Sequence, residues 1–176
     1  MKRRDDLGPW MTDRGYKIAA EIGVWRGEFS ARVLSTWGGQ LHMVDAWRHL
    51  ENYQDMCNLP DAEHEKCFQR ALSVAEAFTP RAVVLRELSP VAANSFSDGF
   101  FDLVYLDANH SYEAVMADLR AWTAKVRAGG VVCGHDYLDG VRKEGVFGVK
   151  TAVNEFFGRP PELVTEEQYP SWFYTL

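Results

Sequence analysis

The chain lacks any apolar run of about 18 residues, so no stretch reads as a membrane-spanning helix. Its three cysteines, Cys57, Cys67 and Cys133, include no Cys-x-x-Cys pair. An odd and scattered set excludes a disulfide framework and offers no zinc-ligand spacing, which leaves reduced thiols. Excess positive charge is missing too. Nineteen Lys and Arg against 25 Asp and Glu give a net charge of −6, which argues against a broad phosphate-binding surface for DNA or RNA. The basic start Met1-Lys-Arg-Arg4 runs into Asp5, Asp6, Gly8 and Pro9, where a signal peptide needs an apolar stretch. Repeats and low-complexity tracts are absent. These absences set the expectation of a soluble cytoplasmic protein with a small-molecule partner, no nucleic acid and no membrane.

What is present suits one α/β domain, since 176 residues at 47% hydrophobic can fill a core without covalent support. Residues 1–15 mix charges with Gly8, Pro9 and Gly15 and read as a lead-in partly ordered by Trp10 and Met11, with the domain over 16–176. A short apolar strand over 16–22 enters Gly23-Val-Trp-Arg-Gly27, and Phe29, Val33 and Trp37 mark a helix face that Gly38-Gly39 ends. Strand, glycine turn and helix form a unit whose backbone can approach a ligand, although two glycines alone read first as a plain tight turn. The spacing is not Gly-x-Gly-x-x-Gly, which disfavours a nicotinamide-dependent oxidoreductase. A second strand, 41–45, ends in Asp45, positioned either to accept from a ribose hydroxyl pair or to cap a turn.

The connection 46–60 is long, and its Trp47, Arg48, His49 and Tyr53 would either cover a ligand or pack the loop down. A helix is expected from Asp61 to about Phe78 with Cys67 in the core and His64 on a solvated face. Strand 82–85 leads through Leu88 and Ser89 to a short helix at Pro90. Phe101, Leu103, Val104, Tyr105 and Leu106 then make a nearly continuous apolar run, as in a parallel strand covered on both faces. It ends at Asp107-Ala-Asn-His110. Val115, Leu119, Trp122 and Val126 share one helical face, ended by Gly129-Gly130, and Val131-Val-Cys133 is a strand finishing at Gly134-His-Asp136. A glycine-rich loop over 140–148, a helix with Val149, Val153 and Phe156 inward, and two closing strands at Leu163-Val164 and Trp172-Phe-Tyr174 complete the pattern. The alternation implies a three-layer α/β sandwich. Trp172-Phe-Tyr174 is also a candidate homodimer edge.

Five blocks in order carry a resemblance. They are 21–30 (Glu-Ile-Gly-Val-Trp-Arg-Gly-Glu-Phe-Ser), 44–47 (Val-Asp-Ala-Trp), 102–113 (Asp-Leu-Val-Tyr-Leu-Asp-Ala-Asn-His-Ser-Tyr-Glu), 129–137 (Gly-Gly-Val-Val-Cys-Gly-His-Asp-Tyr) and 145–150 (Gly-Val-Phe-Gly-Val-Lys). With them the chain resembles the small bacterial class I S-adenosylmethionine-dependent methyltransferases over nearly its whole length. The resemblance implies a Rossmann-like, mostly parallel seven-stranded sheet with an antiparallel terminal strand. It implies the methionine end of S-adenosylmethionine over Glu21, Gly23, Trp25 and Gly27, the ribose on Asp45, and the adenine near Ala46, Trp47, Leu88 and Ser89, with Asp107 at the cofactor edge. Many members carry an acid after the third strand to hold the adenine amine; here Leu88 stands there, with Glu87 one place early.

The chain also resembles the metal-dependent O-methyltransferases, of catechol and macrolide-sugar types, in which acids from two neighbouring strand ends hold Mg²⁺ or another divalent cation. That implies Asp107 and Asp136 as metal ligands and His110 as the base for a small-molecule methyl acceptor, with His135-Asp136 replacing the family's usual acidic pairs. Simpler duties stay open: Asp107 as a helix cap and His110 as a loop histidine. A non-methylating S-adenosylmethionine-binding protein, like those in hydroxylase components, is the alternative.

Overall fold

The computed structural model describes residues 1–51 and 53–176. Its elements are α1 (Leu7–Asp13), β1 (Ile18–Ile22), α2 (Glu28–Thr36), β2 (Gln40–Asp45), α3 (Asp61–Ala77), β3 (Ala82–Arg86), α4 (Ser89–Ala92) and β4 (Phe101–Leu106). Then follow α5 (Tyr112–Trp122), β5 (Val126–Gly134), β6 (Asp139–Val141), β7 (Val146–Gly148), α6 (Val149–Phe157), β8 (Leu163–Val164) and β9 (Trp172–Thr175). Seven strands form one sheet in the order β3-β2-β1-β4-β5-β9-β8. The first five are parallel, and β9 runs antiparallel to both β5 and β8.

Side chains alternate across a strand, and β4 shows the result. Leu103 and Tyr105 point into a core shared with α1, α2 and α3, containing Met11, Phe29, Leu34 and Ala71. Val104 and Leu106 point into the opposite core, shared with α5 and α6 and containing Leu119, Trp122 and Val153. A strand buried on both faces must be apolar at nearly every position, which is the pattern of 101–106. The chain crosses from β3 back to β4, so the strand order reverses between β1 and β4. A crevice opens at their carboxyl ends there.

Several expectations change. Residues 1–15 are ordered by more than Trp10 and Met11: they carry helix α1, in which Leu7 is buried alongside Met11, and Trp10 packs on Phe173 at 5.4 Å. Val126 does not extend the helical face. Helix α5 ends at Trp122, a short turn follows, and Val126 opens β5, with Gly129 and Gly130 inside that strand beside a register shift against β4. The glycine-rich loop contains a hairpin, β6 with β7, and that hairpin meets the 46–60 connection through a bridge between Asp55 and Gly145. Trp172, Phe173 and Tyr174 are buried because β9 is inserted into the sheet, so they form no exposed dimer edge. Among the described residues no helix is long and apolar enough to cross a membrane.

Candidate functional site

A cavity of about 750 Å³ lies at the carboxyl ends of β1, β2 and β4, within the size range of cofactor sites. Glu21, Gly23, Trp25, Asp45, Ala46, Leu88, Ser89, Asp107, His110 and Asp136 all line it. Gly27 and Trp47 do not. Gly27 takes φ 84 as the residue preceding α2, where a Cβ would press to 3.3 Å from Ala71 of α3, so it serves helix packing. Trp47 is 1% exposed, packs its ring on Phe68 at 4.9 Å and donates Nε1–H to the Trp25 carbonyl at 2.7 Å. An indole spent on the core cannot face an adenine.

The glycine turn is tight for a reason the spacing did not reveal. A Cβ on Gly23 would lie 2.1 Å from the Asp107 carbonyl oxygen, so the missing side chain admits the end of β4 rather than a ligand. Asp45 then ties the turn down. Its Oδ2 accepts the N–H groups of Val24 at 2.9 Å and Trp25 at 2.8 Å, and its Oδ1 accepts that of Trp47 at 2.8 Å. Carboxylate oxygens offer about four acceptor positions, so Asp45, which lines the cavity, keeps capacity for a further donor. Glu21 is buried and its pKa is pushed up to about 8, chiefly by that burial, while the Ser30 hydroxyl donates to its Oε2 at 2.5 Å and works the other way. A buried acid with no ion-pair partner among the described residues fits the cationic end of S-adenosylmethionine.

At the other side the ends of β4 and β5 bring three ionisable groups together. His110 Nε2 lies 3.0 Å from Asp136 Oδ2 and 3.7 Å from Asp107 Oδ1. Its Nδ1 lies 3.1 Å from Asp55 Oδ2, and its ring stacks on Phe147 at 4.9 Å. Burial acts to lower the His110 pKa, but hydrogen bonds with Asp107, Asp136 and Asp55 carry it well above the ordinary value. Asp136 itself sits at φ 53, a left-handed conformation that turns its carboxylate back toward His110 and His135. The two histidines hold its pKa down against burial. Ser111, not Asp107, caps α5 by accepting from the Ala114 N–H.

Asp107, His110 and Asp136 each offer one ligand atom within 4.8 Å of the others. His110 Nε2 is buried between the Asp136 and Asp107 carboxylates, a nitrogen and two oxygen donors that together fit a divalent cation. Asp107 also has a cation of the protein's own. Arg4 Nη2 donates to Asp107 Oδ2 at 3.0 Å, Arg4 Nη1 lies 3.3 Å from His135 Nδ1, and the guanidinium covers the Phe29 ring at 4.1 Å.

Arg4, Asp55 and Asp118 are cavity residues that sequence reasoning missed. Asp118 alone had a signal: it falls on the apolar face of its helix, between Val115 and Leu119. Arg4 and Asp55 had none, since charged loop residues are ordinarily solvated. His64, expected in solvent, is 8% exposed and lines the cavity.

The family model described as a methyltransferase domain matches residues 20–137. The fold is that of the O-methyltransferase from Bacillus cereus solved with SAH, at TM-score 0.66 and 16% identity over 97% of this chain and 78% of that one. It is equally that of the N-methyltransferase NodS from Bradyrhizobium japonicum with S-adenosyl-L-homocysteine, at TM-score 0.66 and 14% identity over 97% and 82%. A Klebsiella pneumoniae protein described as an O-methyltransferase superimposes with TM-score 0.68 at 18% identity, over 98% and 79%. No curated protein matches the chain in sequence.

Proposed function

Because this chain belongs to the methyltransferase-domain family, we propose that it transfers a methyl group from S-adenosylmethionine to a hydroxyl of a small metabolite, with His110 as the base. S-adenosylmethionine supplies an electrophilic methyl on a sulfonium. The observation that carries the reading is the imidazole itself: His110 is oriented by Asp55 at Nδ1, has Nε2 beside Asp136, and lines the same cavity as Glu21 and Asp45. An in-line displacement asks the protein chiefly to align the acceptor and to take its proton. Glu21 would balance the positive methionine end, Asp45 would accept from the ribose, and Asp107 and Asp136 would hold the imidazolium that forms. Arg4, with its guanidinium over the Phe29 ring, forms the cavity wall beside Asp107.

A second reading is favoured by the clustering of Asp107, His110 and Asp136, whose ligand atoms lie within 4.8 Å of one another. A divalent cation, Mg²⁺ among the choices, would be held by Asp107, His110 and Asp136 and would lower the pKa of a bound hydroxyl. Methyl transfer to a panel of small catechols, sugars and phenols, assayed with EDTA and with added Mg²⁺ or Mn²⁺, tests both. Activity that survives chelation supports the base reading, activity restored only by metal supports the second, and S-adenosylhomocysteine binding without transfer to any acceptor counts against both.

A further inference from the structure

Asp118 has no duty in the transfer proposed above, yet it is an acid on the apolar face of α5, 5% exposed, beside Val115, Leu119 and Trp122. Its Oδ1 accepts the Ser89 Oγ–H at 2.5 Å, and Ser89 Oγ accepts the Trp122 Nε1–H at 2.9 Å. A hydroxyl has one proton, so this chain commits the Ser89 proton to Asp118 and leaves the Ser89 side chain nothing to donate to a ligand. The acceptor capacity therefore collects on the acid. No Lys, Arg or His compensates Asp118 among the described residues, and burial pushes its carboxyl up to about 7 with only the Ser89 hydroxyl opposing.

A buried carboxylate without a cation is costly unless something donates to it. Asp118 lines the cavity together with Leu88, Ser89 and Pro90 from the end of β3 and with Ala114 and Ala117 from its own helix. The two alanines leave space beside the acid where longer side chains would fill it. That is also the strand end where the sequence carries Leu88 in place of an acid.

We infer that Asp118 reads the exocyclic amine of the cofactor's adenine, supplying from α5 the acceptor that the end of β3 lacks. The inference rests on the S-adenosylmethionine reading above. An amine at the purine 6-position donates to the carboxylate, whereas a 6-oxo purine sets oxygen against oxygen. A site built around such a hydrogen bond rejects the analogue that cannot make it.

The test is calorimetric titration of the full chain with S-adenosylhomocysteine and with its deaminated analogue S-inosylhomocysteine, at about pH 8.5 so that the carboxylate is ionised. The native chain binds the adenine form at least about tenfold more tightly. Asp118→Asn keeps an acceptor for Ser89 and offers an amide N–H to the 6-oxo group, so the preference falls to parity or reverses. If circular dichroism shows the amide is not tolerated, Asp118→Ala reads the same ratio and moves it toward one. A native ratio near one, or a ratio unchanged in a folded variant, overturns the inference and leaves the cofactor reading intact. Failure of the native chain to bind S-adenosylhomocysteine removes the cofactor reading, and the inference with it.

Discussion

His110 Nδ1 lies 3.1 Å from Asp55 Oδ2, so a histidine just past β4 is held by an acid from the connection between β2 and α3. Phe147 of β7 stacks against the same ring, and Asp136 beyond β5 faces its Nε2. Segments far apart in the chain thus fix one imidazole in place, which is the arrangement an oriented base needs.

Replacing His110 by Ala lowers kcat by about 10²- to 10⁴-fold, the range general base catalysis supplies. Binding of S-adenosylhomocysteine, measured by titration calorimetry, stays close to that of the native chain. Turnover retained in the variant would remove His110 as the base.

Asp55 acts through His110 and is a positioning residue. The free imidazole exists only above the His110 pKa, which burial lowers but the surrounding acids raise well above the ordinary value. The kcat/KM profile accordingly rises with pH through that raised pKa. Asp55→Asn removes one of the raising charges, so the limb moves to lower pH while kcat falls as the ring loses its anchor. A profile that drops uniformly without moving argues for a purely structural Asp55.

Glu21 makes the ligand-free protein less stable as pH rises. Burial pushes its folded pKa up to about 8, above the ordinary value of 4.5, so the folded state holds the proton longer than the unfolded chain does. That contribution is complete below 4.5 and is lost as pH rises through about 8, by at most about 1.4 kcal/mol for each pH unit crossed between the two values. Glu21→Gln flattens this part of the profile. Urea midpoints of both proteins between pH 4.5 and 8 check it, and parallel curves would contradict the assignment.

Arg4→Ala destabilises the fold by about 2 kcal/mol, between the value of an exposed ion pair and that of a buried one. Its partner Asp107 has a side chain only 15% exposed and is left beside Asp136 without the guanidinium. Chemical denaturation reads the loss. Lys2→Ala serves as the control and changes stability little, because Lys2 and its partner Glu166 have side chains 77% and 70% exposed.

The sheet was legible because its physical requirement is local. Strands covered on both faces must be apolar throughout, and helices covered on one face must repeat every three to four residues, so 101–106 and the Val115–Trp122 stripe announce themselves. Asp107, His110 and Asp136 could be nominated together because neighbouring parallel strands end side by side. Gly23 was legible as a tight turn, but its reason was not: a glycine needed for the approach of Asp107 looks the same in sequence as one needed for a ligand.

The amino-acid sequence by itself determines the order of elements, the three layers and the strand ends at which chemistry gathers, since hydrophobic period and glycine position depend on near neighbours alone. Only the tertiary structure decides which polar side chains are withdrawn from water. It pairs Arg4 with Asp107, sets Asp55 against His110, spends Trp47 on the core and leaves Asp118 at the cavity wall with the Ser89 hydroxyl as its partner. The physical reason is that desolvation belongs to the folded surroundings of a group and not to its neighbours along the chain.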